Sequence, residues 1–309
     1  MSTSIDLSLL PAPDAVETVD YERILQQRKD RLISLTPDAD RPDLADTLEL
    51  ESEPLTVQLQ ESSYREMVLR QRINEAARAS LLAFARDGQL DHIGARYYVY
   101  RLVVQEADPS AVPPKARVME SDDAFLERIQ MAYEGLSVAG PSGAYEFHAR
   151  SADGRVLDAK AHTPAPADVE VAVLSAEDGD GTASADLQQV VNAALNDEEI
   201  RPLGDRVTIR SAQIINYAIR ARLHMQTSGP GRDQAVANAK ARMSEFAYRR
   251  RRLGQSVWLS KIDSLLHVEG VERVEIVEPA ANLILSWFEA GRCVEVDVHD
   301  ADQTVLDAP

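Results

Sequence analysis

The chain is short of the residues that most small-molecule and nucleic-acid chemistry requires. Its 309 residues include one cysteine, Cys293, so no internal disulfide framework exists, and a lone thiol suits a reducing compartment. Aromatics make up 5% against a hydrophobic share of 44%, which favours helices and small-residue packing over an aromatic-lined pocket. Bases are outnumbered, 33 against 51 acids, for a formal net charge of −18. A chain of that sign repels phosphate backbones and anionic lipid surfaces, so neither nucleic acid nor a membrane is expected as a partner. The six histidines are scattered, and His92 has no second ligand at i+3 or i+4, so no metal site is expected. No Walker loop or dinucleotide fingerprint occurs, and no cofactor is expected. No 18 apolar residues run together. The N-terminus, "MSTSIDLSLLPAPDAVETVDYE", lacks the basic region of a signal peptide. Together these absences predict a soluble protein made in the cytoplasm.

The length admits two or three domains. After a Pro- and Asp-containing arm, "VDYERILQQRKDRLISL" sets Tyr21, Ile24, Leu25 and Leu32 on one helical stripe. The acidic, proline-broken "TPDADRPDLADTLELESEP" reads as a connector. Pro54 is placed to open a helix running to Arg86, stopped by Asp87-Gly88. Such a rod spans about 50 Å. Its apolar positions include Tyr64, Met67, Leu69, Ile73, Ala77 and Phe84, a set wider than one stripe, which predicts contact on more than one side. A shorter helix follows at "QLDHIGARYYV", then a Pro-containing loop, "QEADPSAVPPKAR". Ser121 caps "DDAFLERIQMAYEGL", whose buried stripe is Phe125, Ile129 and Ala132, with Gly135 as the stop.

From about Val156 the period changes to two. "VLDAKAH" and "DVEVAVLS" are strands joined across Pro164 and Pro166. "ASADLQQVVNAALND" is a helix capped by Ser184, "DRVTIRS" a strand, and "YAIRARLHM" a strand facing Tyr217, Ile219, Ala221, Leu223 and Met225 one way. After the turn "SGPG", a long helix carries Val236, Ala239, Met243 and Phe246 up to Gly254. A short helix capped by Ser260 and Asp263 follows. "GVERVEIV" and "CVEVDVH" close the chain as strands, the last with Val294, Val296 and Val298 inward and Cys293, Glu295 and Asp297 outward. The order, helices first and then β-β-α-β-β-α-α-β-β, predicts an α+β fold with helices laid on one face of a mixed sheet. The expected division is 1–50 for the arm and first helix, 51–150 for a helical region, and 151–309 for the α+β domain.

Three stretches invite chemistry. "AGPSGAYEFHARSAD" holds Ser142, His148 and Asp153, but its second glycine stands one residue early for a nucleophile elbow. With Ser142 at a helix start, six residues of helix turn His148 away from it. Gly140, Pro141 and Gly143 therefore read as a turn and candidate hinge. "EDGDGTAS" alternates aspartates, yet a calcium loop starting at Asp178 would need Gly and Glu where Ala183 and Gln189 stand. "RRRR", Arg249 to Arg252, is the one basic run. It suits a helix C-terminus, and in so acidic a chain it is also a candidate for docking on an acidic patch of another copy or partner. No residue is assigned a catalytic role.

Four blocks in this order, "YREMVLRQRINEAARASLLAFARDGQLDHIGA", "AFLERIQMAYEGLSVAGPSGAYEFHARSADGRV", "VAVLSAEDGDGTASADLQQVVNAALNDEEIRPLGDRVTI" and "LLHVEGVERVEI", resemble the baseplate J-like proteins of contractile-tailed phages and phage-tail-like bacteriocins. The resemblance spans Leu59 to Val277; residues 1–50 and the last thirty match less distinctly. It implies a non-enzymatic wedge subunit of a tail baseplate, assembled in the bacterial host cytoplasm. The implied partners are other copies of itself, a second tail protein (tail protein I-like), and sheath-initiator or hub proteins. It further implies bundle contacts within a wedge for the helical half and links between wedges for the α+β half. On that view Gly140, Pro141 and Gly143 form a joint that absorbs rotation when the baseplate changes diameter. The alternatives are a tail-associated hydrolase acting on cell-wall glycans or peptides, motivated by Ser142, His148 and Asp153, and an adaptor of another cytoplasmic complex.

Overall fold

The computed structural model describes residues 5, 7, 10–11, 19–137, 139–177, 179–226 and 231–301. The chain forms two compact units, Ile5–Arg96 and the residues from Tyr97 on.

The first unit is helical. Asp20 caps α1 (Tyr21–Leu35) by accepting from the Arg23 N–H at 3.2 Å, and Ile24 and Leu25 are its buried pair. The segment expected as a connector contains α2 (Arg41–Leu48). Pro42 causes the difference: in the first turn a missing N–H costs nothing, Asp43 sits at the positive helix end, and Leu48 is buried. Helix α3 (Pro54–Ala79) has 26 residues, about 39 Å, and does not reach Arg86. At its end the Ser80 N–H and hydroxyl both donate to the Ala77 carbonyl, at 3.3 and 2.7 Å, which tightens the last turn and diverts it from α geometry. α4 (Asp87–Arg96) follows. Arg28 of α1 fastens to α3, reaching Glu66 at 2.5 Å and Ser62 at 2.9 Å, while Glu66 also takes Arg70 at 2.6 Å.

The second unit opens with a feature missed in the sequence. The loop expected at Gln105–Arg117 is a ribbon, β1 (Val103–Gln105) against β2 (Val118–Met119), extended by reciprocal backbone bonds between Asp108 and Lys115. Ser121 caps α5 (Asp122–Met131) as expected, although α5 stops at Met131 and Gly135 lies in a following 3-10 turn, Glu134–Leu136. α6 (Ser142–Ala152) begins one residue earlier than a Ser142 cap would give: Pro141 is its N-cap and Ser142 its first residue.

Strands β3 (Val156–Ala165), β4 (Asp168–Ser175) and β5 (Arg206–Ser211) form one sheet in the order β3-β4-β5. The β4–β5 pair is parallel, so α7 (Ala185–Leu195) serves as the crossover, capped by Ser184. Strands β6 (Gln213–Met225), β7 (Val271–Glu278) and β8 (Glu289–Asp300) form a second, in the order β7-β6-β8, with α8 (Arg232–Arg250) and α9 (Leu259–Leu266). The fold is α+β, with its mixed sheet present as two three-stranded sheets. The change of sheet occurs at one residue: Ala212 N–H donates to Val173 of β4, whereas Gln213 N–H donates to Phe288, just before β8. α9 is capped by Trp258 rather than by Ser260 or Asp263. The expected "SGPG" turn lies largely outside the described residues.

Each sheet has its own core. Tyr145 and Ala149 of α6 and Leu187, Val191 and Leu195 of α7 meet Val169, Val171 and Val173 of β4. Ala239, Met243, Ile262 and Leu266 meet Ile219, Ala221 and Leu223 of β6. The opposite face of β4, Ala172 and Leu174, packs on Leu253 and Ala290 and joins the two sheets. In β8 the expected facing is wrong at one end. The register slips between Tyr217↔Cys293 and Ala218↔Glu295, making Val294 the extra residue of a bulge. Val294 is thus 58% exposed and Cys293 turns toward the core. Burial pushes the Cys293 thiol pKa up, and its Sγ donates to the Glu295 carbonyl.

A buried ion pair closes the start of this unit. Arg128 reaches Glu120 at 2.8 and 2.7 Å, the Tyr100 carbonyl at 2.6 Å and Ser151 at 3.1 Å. Arg128→Met leaves Glu120 buried without its cation, and a loss of about 3–5 kcal/mol is expected. Urea unfolding followed by the two tryptophans, Trp258 and Trp287, both in this unit, measures it; a loss below about 1 kcal/mol would show the pair to be dispensable.

Candidate assembly surfaces

On α3 the apolar residues divide. At about 100° per residue, Val57 and Tyr64 fall on one stripe and Leu69 and Ile73 on another, roughly 140° away. All four are exposed, at 49, 57, 58 and 55%. Met67 and Ala77 lie on the side of the buried Thr56 and Ser63 and are half-buried, and Phe84, also half-buried, stands beyond the helix end. The buried side of α3 is therefore small and polar while large side chains point to water. An amphipathic helix in a self-sufficient domain has the reverse pattern.

A second exposed group was not singled out from the sequence. Tyr98, Tyr100, Tyr133 and Leu136 are 87, 65, 69 and 74% exposed, and the Tyr97 and Tyr133 rings meet edge-on at 5.6 Å. Three tyrosines within "RYYVYR" were the available signal, but no period marks them as a surface.

Gly140 and Pro141 link the 3-10 turn to α6, while Gly143 is the second residue of α6 itself; all three are within the second unit. Gly140 has φ +72, and a Cβ there would lie 2.9 Å from both Asp205 Oδ2 and Pro202 Cγ. Asp205 also accepts from the Tyr145 hydroxyl at 2.7 Å, and burial with that hydrogen bond pushes the phenol pKa far up. At Gly143 the nearest atoms a Cβ would meet belong to the flexible side chain of Glu134. Ser142, His148 and Asp153 are not brought together. The His148 Nε2 contacts the Gly135 carbonyl at 3.2 Å and burial holds its pKa down. Asp153 is tied to Arg155; burial pushes its pKa up but the guanidinium outweighs this and holds it low.

The four arginines separate in the same way. Arg249 pairs with Glu245 on the helix surface, Arg250 donates to the Ser256 carbonyl, and Arg252 reaches Glu127 at 3.3 Å beside Arg150 at 2.7 Å. Among the described residues Arg251 has no such partner; its Nε and Nη2 are buried without an acceptor. Among the described residues no group of three or more His, Cys, Asp or Glu could hold a metal, and no helix is long and apolar enough to cross a membrane.

Gly140→Ala is expected to cost about 1–3 kcal/mol, the scale of a strained positive-φ position, and Gly143→Ala less than about 1 kcal/mol; equal losses in thermal unfolding would contradict this. Burial raises the Glu127 pKa, yet Arg252 and Arg150 outweigh it and the carboxyl titrates below its ordinary 4.5. A depressed carboxyl stabilises above its unfolded pKa, and the contribution is lost as pH falls through the folded value. Glu127→Gln should therefore flatten the acid limb of a stability–pH curve below pH 4.5, leaving its slope near neutrality unchanged.

Known proteins are similar to this sequence. The family model of the baseplate J-like N-terminal domain matches residues 51–108 and that of the baseplate J-like central domain residues 137–211. Baseplate protein J of Escherichia phage P2 is 50% identical over 294 residues, 95% of this chain and 97% of that protein. Among solved structures, a chain of the cryo-EM structure of the anti-feeding prophage baseplate, 6-fold symmetrised, is similar at 13% identity and a TM-score of 0.37, over 60% of this chain and 43% of that one.

Proposed function

Because the chain belongs to the baseplate J-like family, we propose that this baseplate subunit assembles with copies of itself and a second tail protein into a ring around the hub. In that ring it transmits the rearrangement that releases sheath contraction. Sheath-initiator or hub proteins are its inner neighbours, and the ring is put together in the host cytoplasm. Its role is structural and involves no catalysis. Residues 51–150 supply bundle contacts within a wedge and 151–309 the links between wedges, with Gly140, Pro141 and Gly143 as the joint.

The observation that carries this reading is the outward face of α3. Tyr64, Leu69 and Ile73 stay in water although Thr56 and Ser63 of the same helix are buried. Exposed apolar stripes on a long helix mark a surface that a partner covers. Leu69→Asp with Ile73→Asp serves as the test. At exposed positions the pair should alter folding stability by no more than about 0.5 kcal/mol each. Incorporation into tail particles, read by quantitative blotting, should fall at least ~30-fold, the scale of a 2 kcal/mol interface hot spot. Normal incorporation of the folded variant would refute the bundle contact.

A further inference from the structure

Arg251 is the unanswered member of its run, and it has company. Burial lowers its pKa, and Arg292 of β8 adds to the effect, with Asp180 as the opposing charge. The Arg292 guanidinium has no hydrogen bond or ion pair among the described residues. In a chain of net charge −18 the two guanidinium groups thus lie within electrostatic reach of each other, and two nitrogens of Arg251 are buried with no acceptor among the described residues. Leaving buried donors unmet is costly, and a charged acceptor is the strongest remedy. A glycine borders the guanidinium: Gly181 holds φ +110, and a Cβ there would lie 3.1 Å from Arg251 Nη2. A backbone of that kind is the most easily reshaped to admit an incoming group.

The complementary surface is on the other compact unit. From Asp38 to Glu53 the sequence carries seven acids and one base, Arg41. Asp40, Asp43, Asp46 and Glu51 are exposed, and their carboxylates have no hydrogen bond or ion pair among the described residues. Successive spacings of three place the aspartates on one side of α2. We propose that Arg251 and Arg292 of one copy receive the acidic α2 segment of a second copy. The two patches differ, so the contact is head-to-tail, a geometry that closes into a ring or extends into a filament. The inference rests on the ring reading above and adds a charge pairing that sets the order of neighbours, independent of the apolar stripes of α3.

Two arms test it in whole tail particles. In the first, Arg251→Glu with Arg292→Glu, and separately Asp43→Arg with Asp46→Arg, should each lower incorporation by on the order of 10-fold or more, the cost of like charges at an interface. The four changes in one chain should restore it. In the second, Cys293→Ser removes the native thiol, and Asp43→Cys with Arg292→Cys are joined by a short bismaleimide. Covalent dimers and higher ladders are expected. A cross-link confined to monomers, or none in particles that contain the protein, would overturn the proposal, as would reversed-charge chains incorporating normally. Absence of the unaltered protein from particles would remove the ring reading and this inference with it.

Discussion

The second unit depends on one strand being buried on both faces. β4 offers Val169, Val171 and Val173 to one core and Ala172 and Leu174 to the other. From Val171 to Ser175 the strand has no solvent side, and its parallel partner β5 must be reached by a crossover, which α7 supplies. From that constraint follow the cap at Ser184, the burial of Leu187, Val191 and Leu195, and the short step at Ala212 by which the chain leaves one sheet for the next. The aromatic shortage is consistent with this packing: the contact between sheets is made mainly by Ala, Leu and Ile, with Trp287 and Phe288 at its edge and Arg210 over the Phe288 ring at 4.1 Å.

Much of this was legible because period two is hard to counterfeit. The alternation in "DVEVAVLS" and "YAIRARLHM" located β4 and β6 and, for β6, its inward residues, and the Ser184 cap marked the start of α7. What was not legible depended on partners distant in sequence. β1 and β2 have three and two residues, too few for any period to show, and exist only because Asp108 and Lys115 pair across the ribbon. The partition into two sheets is set by which carbonyl receives the Ala212 and Gln213 N–H groups. The slip at Val294 requires knowing how β6 runs beside β8.

The candidate surfaces show the same limit. Too many apolar positions on α3 signalled contact on several sides, but periodicity cannot say which of them the chain covers itself; Tyr64, Leu69 and Ile73 are left out while Met67 and Ala77 are drawn in. Four consecutive arginines look equivalent as letters. In the fold each meets a different environment, because successive residues at the end of a helix point in different directions, and of the four only Arg251 meets no acceptor among the described residues. Its neighbour Arg292 is 41 positions later in the sequence, beyond any local pattern.

Cys293 has a use in being turned inward by the bulge. A thiol that is half sheltered, bonded to a carbonyl and disfavoured from ionising is a poor nucleophile, so molecular oxygen finds little thiolate to attack. In the ring proposed above, such a thiol resists disulfide formation with its counterpart on a neighbouring copy, and the subunits stay separable.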